Sequence, residues 1–136
     1  MTNINPQPLD SFDPGEVSRV ALSTFENIIA EWDIKQTEAM ALMGYDDKTR
    51  STYFKWKKDP ESVKLSKEKL ERLSYVFGIY KALQILFRDT RSANEWIKKP
   101  NDAPIFNGSS ALQRMLSGQV ADLYVVRQYL DAQRGW

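Results

Sequence analysis

Apolar residues in this chain return every three or four positions, from Val17 through Leu130, and alternating runs are scarce. That period matches the turn of an α-helix and cannot keep one face of a strand apolar. The pattern predicts an all-α protein. A first helix is expected from about Pro14 to Trp32, with Val17, Val20, Ala21, Phe25, Ile28, Ile29 and Trp32 as its buried stripe. Proline suits a first helical turn, and Glu16 suits the positive end of the helix dipole. A short second helix, about Gln36 to Met43, stops at Gly44, a residue suited to a left-handed cap. The third, "KTRSTYFKWKK", takes Asp46 or Asp47 as its cap and ends before Pro60. Residues 60–65 connect to a long helix headed by Ser66 and running to about Phe87. Its stripe is Leu70, Leu73, Val76, Phe77, Tyr80, Leu83 and Leu86, and its length suffices to join two halves of a molecule. "SANEWIKK" reads as a short helix and "PNDAPIFNGSS" as the clearest loop. Ser109 or Ser110 caps "ALQRMLS", and a last helix spans about Val120 to Gln133.

A length of 136 residues and an apolar content of 42% permit one ordinary domain or two very small ones. The 19 basic and 18 acidic residues nearly cancel, but they separate along the chain. Residues 1–33 hold six acids against Arg19 alone, whereas Lys48 to Lys58 hold five bases and no acid. Cysteine and histidine are both absent. That excludes disulfides, thiolate nucleophiles, serine–histidine machinery and the commonest zinc sites. No apolar run approaches the length of a membrane span. The opening "MTNINPQPLDSFDPGE" has neither a basic start nor an apolar core, so residues 1–14 are expected to be a flexible lead-in rather than a signal peptide. The expected placement is cytoplasmic.

Two short helices split by a glycine turn, the second rich in bases, resemble a helix-turn-helix. In that reading Lys48, Thr49, Arg50, Ser51 and Thr52 reach base edges or phosphates in the major groove. Lys55, Lys57 and Lys58 meet phosphates, and Gln36 at the start of the preceding helix holds another. The acidic first helix must then face away from DNA. Basic runs are also ordinary solvated faces, and Tyr53 and Trp56, three apart on one side, fit a core better than base stacking.

The C-terminal half carries a more specific pattern. It comprises Gly-Ile-Tyr-Lys-Ala-Leu at 78–83, Glu95-Trp96, Pro100-Asn101, Phe106, Gly108, Ser110 and Leu112. It continues in Met115-Leu116, Gly118, Asp122-Leu123, Val126-Arg127 and the closing "YLDAQRGW". This pattern resembles the toxin-binding domain of the Xre/MbcA/ParS antitoxin family over residues 70–136. Residues 15–69 resemble, more loosely, the Xre-like helix-turn-helix domain of that family, with Met40 where a small residue is usual. The resemblance implies a bacterial type II antitoxin whose partner is a RES-domain toxin, an enzyme that depletes NAD. The C-terminal domain would cover the toxin's active-site entrance. The N-terminal domain would bind operator DNA in the promoter of its own operon, and a homodimer is usual. No catalysis, cofactor, metal, membrane or small-molecule substrate of its own is implied.

The toxin-facing residues are expected on the last helix and the tail: Tyr124, Arg127, Gln128, Tyr129, Asp131, Arg134, Gly135 and Trp136. Val120, Leu123, Val126 or Arg127, and Leu130 already supply one core stripe, and Tyr124, Val125 and Tyr129 lie largely off it, so Tyr124 and Tyr129 either face a partner or close a small core from both sides. Gly135 either lets Trp136 pack back or gives it reach. An alternative function is a stand-alone regulator whose C-terminal half only dimerises. An enzyme built on Glu95 or Asp122 with Lys98 or Lys99 is the weakest reading, because such charges are ordinary on exposed helices.

Overall fold

The computed structural model describes residues 13–135, and helix accounts for nearly all their regular structure. The elements are α1 (Pro14–Trp32), α2 (Gln36–Leu42), α3 (Arg50–Lys58), a 3₁₀ turn (Pro60–Ser62), α4 (Lys67–Leu86), α5 (Thr90–Trp96), α6 (Ala111–Met115) and α7 (Val120–Gln133). A lone β-bridge joins Pro100 to Ser110. The chain is all-α, with helix-turn-helix elements first, a long connecting helix and a small helical C-terminal part.

The caps follow from side-chain chemistry. The Asp13 carboxylate accepts the Glu16 N–H at 3.0 Å and Pro14 opens α1. The Ser66 hydroxyl accepts the Lys69 N–H at 3.2 Å. Ser110 and Gln113 cap α6 reciprocally, at 3.1 and 3.2 Å. Two expectations are corrected. Val20 is 63% exposed, and Ser18 and Leu22 join the expected Phe25, Ile28, Ile29 and Trp32 on the buried face of α1. Ser18 tolerates burial because its hydroxyl accepts the Leu65 N–H at 2.9 Å, which ties the connector to α1. Helix α3 starts at Arg50 with Thr49 at its N-cap position, not at Lys48 with Asp46 or Asp47 as the cap. Asp46 instead closes the turn before it, accepting the N–H groups of Lys48 and Thr49 at 2.9 and 3.1 Å.

Helix α4 is the axle. It packs on α1, α5 and above all α7, so residues on several sides of it are covered. Arg72, Leu73, Val76, Ile79, Ala82 and Leu83 are buried, while Leu70, Phe77, Tyr80 and Leu86 are half-buried. Buried apolar side chains from Leu22 in α1 to Leu130 in α7 form one continuous core. Helices α4 and α7 run parallel: Arg72 meets Gly118, Tyr75 meets Tyr124, and Gly78 meets Arg127.

Arg72 joins the two ends of this assembly. Its Nε pairs with the Glu68 carboxylate, and its Nη2 donates to the Gly118 carbonyl at 2.9 Å. The guanidinium lies on Gly44, where an added Cβ would come within 2.6 Å of Cζ. Gly44 also has φ +80, a conformation that glycine adopts without strain. Beside it, Lys69 Nζ donates to the Gly44 carbonyl at 3.2 Å and sits 4.4 Å from the centre of the Tyr45 ring. Burial holds the Lys69 ammonium below the ordinary lysine pKa. The Tyr45 hydroxyl in turn accepts the Trp56 Nε1–H at 3.0 Å.

Candidate nucleic-acid and partner interfaces

Helix α3 divides its residues by position. Tyr53 faces inward and is fully buried, and its hydroxyl lies 3.0 Å from Glu26 Oε1 and 2.9 Å from Gln36 Oε1. One hydroxyl proton serves one carbonyl or carboxylate oxygen. Turning the Gln36 amide over lets its N–H₂ donate to the Tyr53 oxygen, and all three groups are then satisfied. Burial and the neighbouring Glu26 charge push the Tyr53 phenol up, so it stays protonated. Gln36 thus ties α2 to α3, although the residue itself is exposed. Lys57, an exposed residue, reaches back to 3.5 Å from Glu26 Oε2 and 5.9 Å from the centre of the Tyr53 ring.

Lys48, Thr49, Arg50, Ser51, Lys55 and Lys58 are exposed, and Thr52 is half-buried. Thr49 is engaged locally, its hydroxyl donating to Asp46 at 3.0 Å, and that bond holds the Asp46 carboxyl below the usual range. Among the described residues, Lys48, Arg50, Lys55 and Lys58 make no ion pair, so their charge is available to an outside anion. Phe54 stands among them, 40% exposed. Sequence reasoning passed over it. The signal was there: Tyr53 and Trp56 sharing the inner face leaves position 54 on the outer one.

The second surface lies along α4 and α7. Tyr124 is 44% exposed and meets the half-buried Tyr75 edge-on, with ring centroids 5.7 Å apart. Its hydroxyl accepts Gln128 Nε2–H at 2.5 Å. A shallow groove of about 230 Å³ runs beside the pair, lined by Glu71, Tyr75, Val120, Ala121 and Tyr124. Arg127 crosses α4 at Gly78, where a Cβ would sit 2.5 Å from its Nε. Asp131 lies 3.7 Å from Arg127 Nε and 3.7 Å from Arg134 Nη1, aligning both arginines. Gly135, at φ +84, closes the helix by donating its N–H to the Ala132 carbonyl at 3.1 Å.

Tyr124, Arg127, Gln128 and Asp131 therefore share one face with Tyr75 of α4. Tyr129 does not. It stacks on Trp96 at 6.3 Å and meets Phe106 edge-on at 5.2 Å, closing the core on the far side of α7. Trp136 lies outside the described residues. Tyr75 was absent from the expected site, although an aromatic residue off the α4 stripe is the mark that finds it. Asn107 and Gly108, both with positive φ, turn the 101–109 loop so that Phe106 enters the core beneath Tyr129.

These features define a helix-turn-helix protein with a second helical module built on a shared long helix. No group of three or more potential metal ligands occurs among the described residues, and no helix there is long and apolar enough to cross a membrane. Comparison with known proteins gives the family. The antitoxin Xre-like helix-turn-helix domain matches residues 12–78, and the antitoxin Xre/MbcA/ParS C-terminal toxin-binding domain matches residues 82–135. An uncharacterized protein, y4oB of Sinorhizobium fredii (strain NBRC 101917 / NGR234), is 46% identical over 114 residues, which cover 84% of each chain. The chain belongs to the Xre/MbcA/ParS antitoxin family and has its two-part make-up, an antitoxin-type helix-turn-helix followed by a toxin-binding domain.

Proposed function

We propose that this protein neutralises a RES-domain toxin, an NAD-depleting enzyme, by laying the α4–α7 face and the C-terminal tail over the toxin's active-site entrance. The same chain, as a homodimer in the cytoplasm, binds the promoter of its own operon through α3 and regulates it. One observation carries the first part: Tyr124, on the domain matched as toxin-binding, is exposed beside Arg127 and Gln128 and meets the half-buried Tyr75 of α4. Aromatic anchors next to arginine are the side chains that dominate protein interfaces. Tyr124, Arg127, Gln128 and Asp131 make the contact surface, Arg134 and Gly135 set the direction of the tail, and Trp136 ends it. The exposed bases of α3 support the second part, because an unpaired basic helix face releases counterions on meeting phosphate.

Co-expression with the product of the adjacent gene tests the reading. Wild-type protein should restore growth and keep cellular NAD up. Tyr124→Ala and a truncation after Gln133 should fold, as judged by circular dichroism, yet fail to protect. Protection by both variants would remove this face from the mechanism.

A further inference from the structure

Phe54 is an apolar ring at the centre of a basic surface. Its neighbours on the outer face of α3 are Arg50 one turn before and Lys58 one turn after, with Lys55 alongside. Inside the protein it meets Tyr53 edge-on, at 5.6 Å between centroids, and 40% of it remains exposed. The Arg50 guanidinium lies 5.7 Å from the ring centre, so the phenyl limits where that guanidinium can go. A lone phenyl offers nothing to phosphates. What it can cover must itself be apolar, and it must be reached by a helix whose charges seek a polyanion.

The major groove has one such group, the C5 methyl of thymine. We propose that Phe54 is a specificity-determining residue that packs on thymine methyls, and that it steers Arg50 onto the O6 and N7 of a nearby guanine. Four residues of helix rise about 6 Å, and the two side chains therefore span one or two base-pair steps. The preferred operator contains a guanine with a thymine one or two positions away. This inference rests on the reading of α3 as the DNA-facing helix.

Complete replacement of thymine by uracil tests it whatever the operator sequence. The promoter fragment is amplified with primers and triphosphates that carry either thymine or uracil throughout, which deletes every methyl and keeps the pairing. Affinity is measured at one fixed salt concentration for the wild type, Phe54→Ala and Phe54→Leu. Wild-type affinity should fall about fourfold for each contacted methyl, the value of burying one such group. Phe54→Ala should bind the thymine fragment more weakly and respond less than twofold to uracil. Phe54→Leu should keep part of the discrimination, and circular dichroism should find all three equally folded.

Equal wild-type affinity for both fragments, or an undiminished uracil effect in Phe54→Ala, overturns the proposal. So does a Phe54→Ala protein that turns monomeric while losing no discrimination, because the ring then serves a contact between copies. Wild-type protein that fails to prefer promoter over unrelated DNA overturns the α3 reading itself, and this proposal with it.

Discussion

Gly78→Ala separates two roles that usually fail together. Gly78 lies in the interior of α4, where alanine is favoured over glycine by about 1 kcal/mol. Against that, the new Cβ would come within 2.5 Å of Arg127 Nε, 2.6 Å of Cζ and 2.8 Å of Cδ. The arginine must leave the surface of α4. It has somewhere to go, since its side chain is 38% exposed. What it gives up is small: a 3.4 Å contact with the Ser74 carbonyl and a half-exposed ion pair with Asp131, together at most about 1 kcal/mol. The two sides nearly balance, and the melting temperature should stay level or rise by up to about 3 °C. Toxin binding should behave differently, because an arginine displaced from its aligned position loses its partner contact. We expect at least a tenfold loss, or about 1.4 kcal/mol, by titration of labelled toxin. A fall in melting temperature of more than about 5 °C would show that α4 and α7 separate instead. Unchanged toxin affinity in a folded variant would show that Arg127 does not touch the toxin.

Further outcomes follow from the same geometry. Asp122 accepts from Ser117 and Arg114, and these bonds, Ser117 first, hold its carboxyl below the ordinary value. A depressed carboxyl contributes stability above its unfolded pKa and loses it as pH falls through the folded one. Asp122→Asn should therefore melt below the wild type at pH 7, and urea or thermal curves for the two should converge below about pH 4. Lys58→Ala should lower the slope of promoter affinity against salt by about one unit, whereas Lys57→Ala, whose ammonium sits on Glu26, should leave it nearly unchanged. Gly44→Ala combines a left-handed alanine, about 1 to 2 kcal/mol, with a collision against Arg72, and should lower the melting temperature by at least about 4 °C.

Much of this was legible in the sequence, and the exceptions have physical causes. Helix ends marked by a capping side chain or a left-handed glycine, such as Ser66, Ser110 and Gly44, lie where the chemistry puts them. Asp46 misled because an Asx turn and a helix cap use the same acceptor, and only the backbone after it tells them apart. The α1 stripe went astray at Val20 because a hydroxyl with a distant partner, Ser18, can be buried while a valine stays out. Helix α4 has neighbours on several sides, and a one-stripe reading cannot find Ile79 or Ala82. At the site, the basic character of α3 was plain, but long-range partners were not. Gln36 and Lys57, though exposed, are engaged by Tyr53 and Glu26, residues 17 and 31 positions away. Tyr129 is claimed by Trp96 and Phe106, from a different part of the chain.

Arg72 has a consequence for inheritance. The two family domains meet inside α4, between residues 78 and 82, so recombination there looks clean on paper. Yet one guanidinium fills the space left by Gly44 in the first half and binds the carbonyl of Gly118 in the second. A crossover at that seam takes the arginine from one parent and the turn before α7 from another. Chimaeras between relatives should remain intact only when both parents shape that turn alike. What reads as two interchangeable cassettes is, at this residue, a single heritable unit.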